Sequence, residues 1–234
     1  FNQGLDARLI NEKPSLANHL ASICLSPVRL AYDFDSKLMR RAYTQAITLL
    51  SEQGMWEFTN YMLFNYNDTP ENLYSRLMVN VDLNASLHIQ ITGFPMRFIP
   101  MDDVKRNHVS RRWKWRYLRG MQCVLLATRG LVSPNPSFFY RAFGSSFEKF
   151  LEILSMPDRY IIFRKDYENN GALDWKRKFR KLSQDDKNEF LDFLGRINED
   201  RNKPRTISRF GKYRSLIEHY YPNGKSAPNS PREE

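Results

Sequence analysis

The chain has 234 residues, 41% hydrophobic and 14% aromatic, which is enough apolar material for a sizeable core and suits one domain with a large appendage. Its formal net charge of +10 favours encounters with polyanions but decides neither fold nor chemistry. Two cysteines far apart, Cys24 and Cys123, exclude a disulfide framework, a zinc site or an iron–sulfur ligand loop within the chain, and no stretch reaches the ~20 apolar residues of a membrane span.

These features fit a reducing cytoplasm and no membrane partner. The start, Phe1-Asn2-Gln3, has neither an initiator Met nor the order of a signal peptide, so it reads as the middle of something longer.

Over the first hundred residues, short apolar or β-branched runs alternate with longer segments of helical spacing. The runs cover 1–10, 28–34, 57–64 and 86–91, and they recur at about the ~30 residues of one βα unit, which predicts four parallel strands joined by crossover helices. Between them, Asp35 or Ser36 is suited to cap a helix running toward Gln53, with Leu38, Ala42, Ala46 and Leu49 on one stripe and Gly54 as a left-handed stop. Thr69-Pro70 has the same capping chemistry for the next helix. Beyond Pro100 the rhythm stops. Helices are expected near 113–130, 137–154, 174–181 and 184–197, with 159–164 as a strand or an apolar connection and a disordered tail from Pro222.

The predicted class is therefore α/β, the second half of a partial (β/α) barrel with parallel strands followed by a mostly helical extension. The boundaries are 1–104 for the barrel half, 105–221 for the extension and 222–234 for the tail.

In such sheets ligands gather at the C-terminal ends of the strands. Polar residues in those places are Gln3, Asp6 and Arg8, then Asp33 and Asp35, then Asn65, Asn67 and Asp68, then Thr92, Met96 and Arg97. Asp35 and Asp68 read more simply as a cap and a turn residue. Arg8 and Asp33 are charges inside strands, so each needs an ion partner or a polar pocket.

The succession Phe1-Asn2-Gln3-Gly4-Leu5-Asp6-Ala7-Arg8, Arg29-Leu30-Ala31-Tyr32-Asp33-Phe34-Asp35, Tyr61-Met62-Leu63-Phe64-Asn65-Tyr66-Asn67-Asp68-Thr69-Pro70-Glu71 and Gly93-Phe94-Pro95-Met96-Arg97-Phe98-Ile99-Pro100 resembles strands four to seven of a radical SAM barrel. It is most similar to the group whose fuller members also carry a cobalamin-binding domain. The resemblance implies reductive cleavage of S-adenosylmethionine (SAM) by a [4Fe–4S] cluster and radical chemistry on an unknown substrate. It implies that Arg8 meets the SAM carboxylate, that Asp33 contacts the ribose or amino group and that Asn65 lies near the adenine, with Gln3 in the same set. It also implies that the cluster-binding C-x-x-x-C-x-x-C loop belongs to a missing N-terminal barrel half.

A rival reading comes from 105–119, where seven Lys or Arg residues stand without an acid. Within it, Arg111-Arg112-Trp113-Lys114-Trp115-Arg116 interleaves cations with rings, the combination that binds single-stranded nucleic acid. The plainer alternative is an amphipathic helix that buries its Trp residues and keeps its charges in water. Cys24 and Cys123 read as small buried hydrophobes, and His19, His88, His108 and His219 as structural or solvated.

Overall fold

A computed structural model describes residues 4–24, 26–199 and 211–221. It divides into two units, Phe1–Trp113 with Thr128–Phe150, and Lys114–Ala127 with Leu151–Glu234. Among the described residues, no helix is long and apolar enough to cross a membrane. The expected tail from Pro222 lies outside the described residues.

The first unit is α/β. Its strands β1 (Leu5–Asp6), β2 (Val28–Ala31), β3 (Glu57–Phe64) and β4 (Gln90–Arg97) form one parallel sheet in the order β1-β2-β3-β4. The crossovers carry α1 (Ala7–Glu12) and α2 (Ser15–Ile23), then α3 (Lys37–Glu52), then α4 (Pro70–Leu87).

Parallel crossovers share one hand, so three that step the same way put their helices on the same face of the sheet. The packing follows this rule: Val28, Leu30, Phe58 and Ile91 meet Ala7, Ile10, Ala17, Tyr43, Ile47, Leu50, Val79 and Leu83 in a single core. The alternate positions Ala31, Tyr61, Leu63, Thr92 and Phe94 take the opposite face and remain partly exposed, with Met96 at 45%.

Local signals set the helix ends. Ser36 Oγ accepts from Met39 N at 3.1 Å, and Gly54 follows α3 at φ +83°. Thr69 and Asn72 form a reciprocal capping box ahead of α4 with Pro70 in its first turn, and His88 ends that helix at φ +54°.

Four expectations need correction. The run 1–10 is not one strand: the Asp6 carboxylate accepts from Arg8 N at 2.9 Å and starts α1, so Arg8 lies on a helix. The run 86–91 straddles the end of α4, and the strand extends on to Arg97 through Gly93 and Pro95. Proline is tolerated there because Gly93 N points outward to Val132 O at 3.0 Å; Pro95, two residues on, has its nitrogen on the same outer edge, where no ladder bond is lost. The segment 159–164 is neither strand nor plain connection but falls largely in α8 (Asp158–Ile162). The helix expected over 137–154 is also interrupted, giving α6 (Pro136–Phe143) and α7 (Phe147–Ser155) around Gly144 at φ +88°.

The second unit is helical. It contains α5 (Trp115–Ala127), α8, α9 (Arg164–Tyr167), α10 (Leu173–Arg180), α11 (Gln184–Glu199) and a turn at Arg214–Ile217. Trp175 stacks on Phe179 at 4.6 Å, and Phe190 meets Tyr213 at 5.4 Å, in an aromatic core. At Gly120, α5 passes so close to Leu154 that an added Cβ would sit 2.1 Å from its carbonyl oxygen.

Arg116, only 2% exposed, receives the end of α7: it donates to Leu154 O at 3.3 Å, Met156 O at 2.7 Å and the Asp158 carboxylate at 2.8 Å. Arg119 donates to the same carboxylate at 2.7 Å. Burial pushes the Asp158 carboxyl up, but Arg116 and Arg119 outweigh it and the net shift is downward. A depressed carboxyl contributes stability above its unfolded value near 3.8 and loses it as pH falls through the folded value. Asp158→Asn should therefore cost about 3 kcal/mol at neutral pH, by leaving Arg116 charged and buried, and should flatten the stability change below about pH 4. Urea titrations from pH 3 to pH 7 measure both, and an unchanged acid limb would refute the assignment.

Candidate ligand site at the C-terminal edge of the sheet

The C-terminal edge is organised by a side chain absent from the sequence candidates. Arg76 of α4 is fully buried and donates to Tyr32 O and Leu63 O, each at 2.9 Å, to Asn72 O at 3.3 Å and to Asp68 Oδ2 at 2.9 Å. The other Asp68 oxygen accepts from Tyr66 N at 3.1 Å and Trp113 Nε1 at 3.2 Å. One guanidinium thus joins the ends of β2 and β3, the first turn of α4 and the residue that anchors Trp113.

Burial pulls the Arg76 guanidinium below its ordinary value and pushes the Asp68 carboxyl above its own, in each case against the attraction of the partner. Desolvation therefore wins on both sides, and the pair fixes geometry more than it adds stability.

A second layer holds the loop 98–113 over this edge. Asn65, in the left-handed region at φ +67°, donates to Phe98 O at 3.1 Å and His108 O at 3.2 Å and accepts from Ser110 N at 2.9 Å. Arg97 donates to His108 O at 2.6 Å, and Asp103 accepts from His108 N at 2.6 Å. Phe98 N continues the ladder to Phe64 O at 2.8 Å, and Trp113 packs on Phe64 at 5.4 Å between ring centres.

Two adjoining cavities open on this surface. One, about 340 Å³, has Asp33, Asp35, Ser36, Asn72 and Arg112 on its wall. The other, about 610 Å³, is lined by Phe98, His108, Ser110, Arg111 and Arg112; Tyr66 and Asn67 border both.

The structure distributes the expected SAM contacts unevenly. Asp33 does line a cavity; its Oδ1 accepts from Leu63 N at 2.9 Å, carrying the ladder past the end of β2. Asn65 is at the same edge but buried, its amide committed to the loop. Arg8 is not inside a strand and lines neither cavity: it is exposed on α1 and pairs with Asp6 at 2.5 Å. Gln3 lies outside the described residues.

The basic-aromatic segment divides as well. Trp113 is buried on Asp68, Lys114 pairs with Asp192 at 2.6 Å and Arg116 is interior, so these serve the packing. Trp115 is half-buried on α5 beside the Arg116 guanidinium. Arg111 and Arg112 are exposed and line a cavity.

Among the described residues, no three His, Cys, Asp or Glu side chains stand close enough together to hold a metal ion. Burial pushes the Cys123 thiol up to about 12, which suits a packing residue and not a thiolate ligand.

Sequence reasoning missed Arg76, Tyr66, Phe98 and Ser110. Only Arg76 left a signal, as a charge between Leu73 and Leu77 on the buried stripe of α4. Replacing Arg76 by Met, which fills similar volume, should cost about 3–5 kcal/mol because the Asp68 carboxylate loses its counter-charge in a buried place. Adding Asp68→Asn should recover part of that loss, and a urea-denaturation double-mutant cycle reads the coupling. A loss below about 1 kcal/mol for the single change would contradict the central role given to Arg76.

No protein-family model, no curated protein and no solved structure matches this chain, so its functional reading rests on the residues and geometry just described.

Proposed function

We propose that this chain is the later half of a radical SAM barrel and contributes part of the SAM site at the C-terminal edge of its sheet. The observation that carries the reading is the order β1-β2-β3-β4 with α1 to α4 on one face. An open doubly wound sheet reverses its strand order and carries helices on both faces. A sheet that steps one way and leaves its other face only partly covered completes the burial of that face by closing round or by meeting another layer.

Asp33 is the residue that fits SAM: a carboxylate on a cavity wall accepts from ribose hydroxyls or from an amino group. Arg8 joins the site only if α1 is repositioned, so it carries no weight in this reading. The chemistry that SAM supplies with a reduced [4Fe–4S] cluster is cleavage to a 5′-deoxyadenosyl radical, which abstracts hydrogen from a substrate. Cys24 and Cys123 do not fit such a cluster, which needs three thiolates brought together. No step is assigned to a cluster held by this chain; its ligands, and any cobalamin domain, belong to a longer parent.

Calorimetric titration of the 234-residue chain with SAM should show weak binding, reduced about tenfold by Asp33→Asn, a change that keeps the acceptor for Leu63 N. After anaerobic reconstitution the chain alone should hold no stoichiometric iron and sulfide and release no 5′-deoxyadenosine with dithionite and SAM. A parent bearing the three-cysteine loop should do both. Cluster-dependent deoxyadenosine from the short chain, or none from the parent, would overturn the proposal.

A further inference from the structure

The larger cavity has a character of its own. Its rings are Tyr66 and Phe98, 4.7 Å apart between centres, with His108 edge-on to Phe98 at 5.8 Å. Tyr66 is 41% exposed and lines the cavity, where it can meet a planar guest. The cations are Arg111 and Arg112, consecutive and exposed, and no carboxylate among the described residues lines the cavity. Both side chains line the cavity, and a phosphate there accepts charge-assisted hydrogen bonds from the guanidinium forks.

The third feature points to a ligand independently. Ser110 is 7% exposed, lies on the cavity wall and is fixed through its backbone N–H by Asn65, yet its hydroxyl has no hydrogen-bond partner among the described residues. A buried hydroxyl without a partner is destabilising, and a polar group on a bound molecule offsets that cost.

The loop that carries these groups is rigidly held, by Asn65 and Arg97 at His108, by Asp68 at Trp113 and by Arg112 donating to Asn67 O at 3.3 Å. Little ordering cost remains for binding.

The geometry points to a nucleotide site: a base stacks on Tyr66 beside the tilted Phe98 ring, its phosphate sits on Arg111 and Arg112, and a polar edge or sugar hydroxyl lies at Ser110. The volume of about 610 Å³ lies within the usual range for small-molecule pockets. The site adjoins the Asp33 cavity, but the inference does not depend on the SAM reading, because SAM has no phosphate for the arginine pair.

Binding is measured by calorimetry on the full chain without cluster or SAM, using the four ribonucleoside 5′-monophosphates, the matching nucleosides, inorganic phosphate and a short single-stranded RNA. Monophosphates should bind at least tenfold more tightly than nucleoside or phosphate alone, with affinity falling as salt rises. Arg111→Gln, a surface change, should weaken monophosphate binding about tenfold, whereas Arg129→Gln, off the cavity wall, should leave it unchanged. Ser110→Ala should weaken it severalfold. RNA binding more tightly than any monophosphate would assign the site to a strand, and equal affinity would assign it to the free nucleotide. Equal binding of nucleosides and monophosphates, or indifference to Arg111→Gln, would overturn the inference. SAM titrated against Asp33→Asn reports on the neighbouring cavity separately, so failure of either proposal is seen without the other.

Discussion

The buried Arg76 guanidinium is the constraint on which the C-terminal edge depends. Strand ends leave carbonyl oxygens that the next ladder bond does not reach, and in a protein interior these need donors. Arg76 supplies them to Tyr32 and Leu63 and also reaches Asn72 O in the first turn of α4, while Asp68 neutralises it. Because Asp68 also accepts from Trp113, the same charge pair determines where the loop 98–113 is pinned. A hydrophobic side chain of equal size would remove the desolvation cost but would organise neither the carbonyls nor the loop.

The sheet shows a division of labour between its faces and its edge. One face is consumed by α1 to α4, and the other keeps Tyr61 and Phe94 in ring contact at 5.7 Å while partly exposed. Polar chemistry is concentrated where β2 and β3 end, with acid on one side at Asp33 and Asp35 and base on the other at Arg111. Tyr66, Asn67 and Arg112 form the boundary. A ligand with hydroxyls or an amine at one end and an anionic group at the other matches this gradient.

Much of the fold is legible in the sequence because its signals are local. The limits of β3 follow from an apolar run bounded by turn residues, and the caps at Ser36 and Thr69 announce α3 and α4. The failures are also local. At Asp6 a strand-like run conceals an N-cap, and at Gly93-Phe94-Pro95 residues that usually break strands sit on an outer edge that accepts them. The site is far less legible, since it depends on pairings between distant positions. Nothing near Asn65 announces that its amide holds Phe98, His108 and Ser110, and nothing near Trp113 announces Asp68. The basic run 105–119 is conspicuous in one dimension, yet Arg116 is turned to an interior role while Arg111 stays at the surface.

The strand order has a kinetic side. Because each strand after the first pairs with the one made just before it, every crossover closes a loop of only tens of residues, and among the described residues no strand of the sheet waits for a strand from the far end of the chain. Loop closure of that length is fast and entropically inexpensive compared with the long closures of a sheet threaded out of order. The unit is thus suited to grow vectorially during synthesis, adding one strand and one covering helix at a time, with the newest strand always at the growing edge.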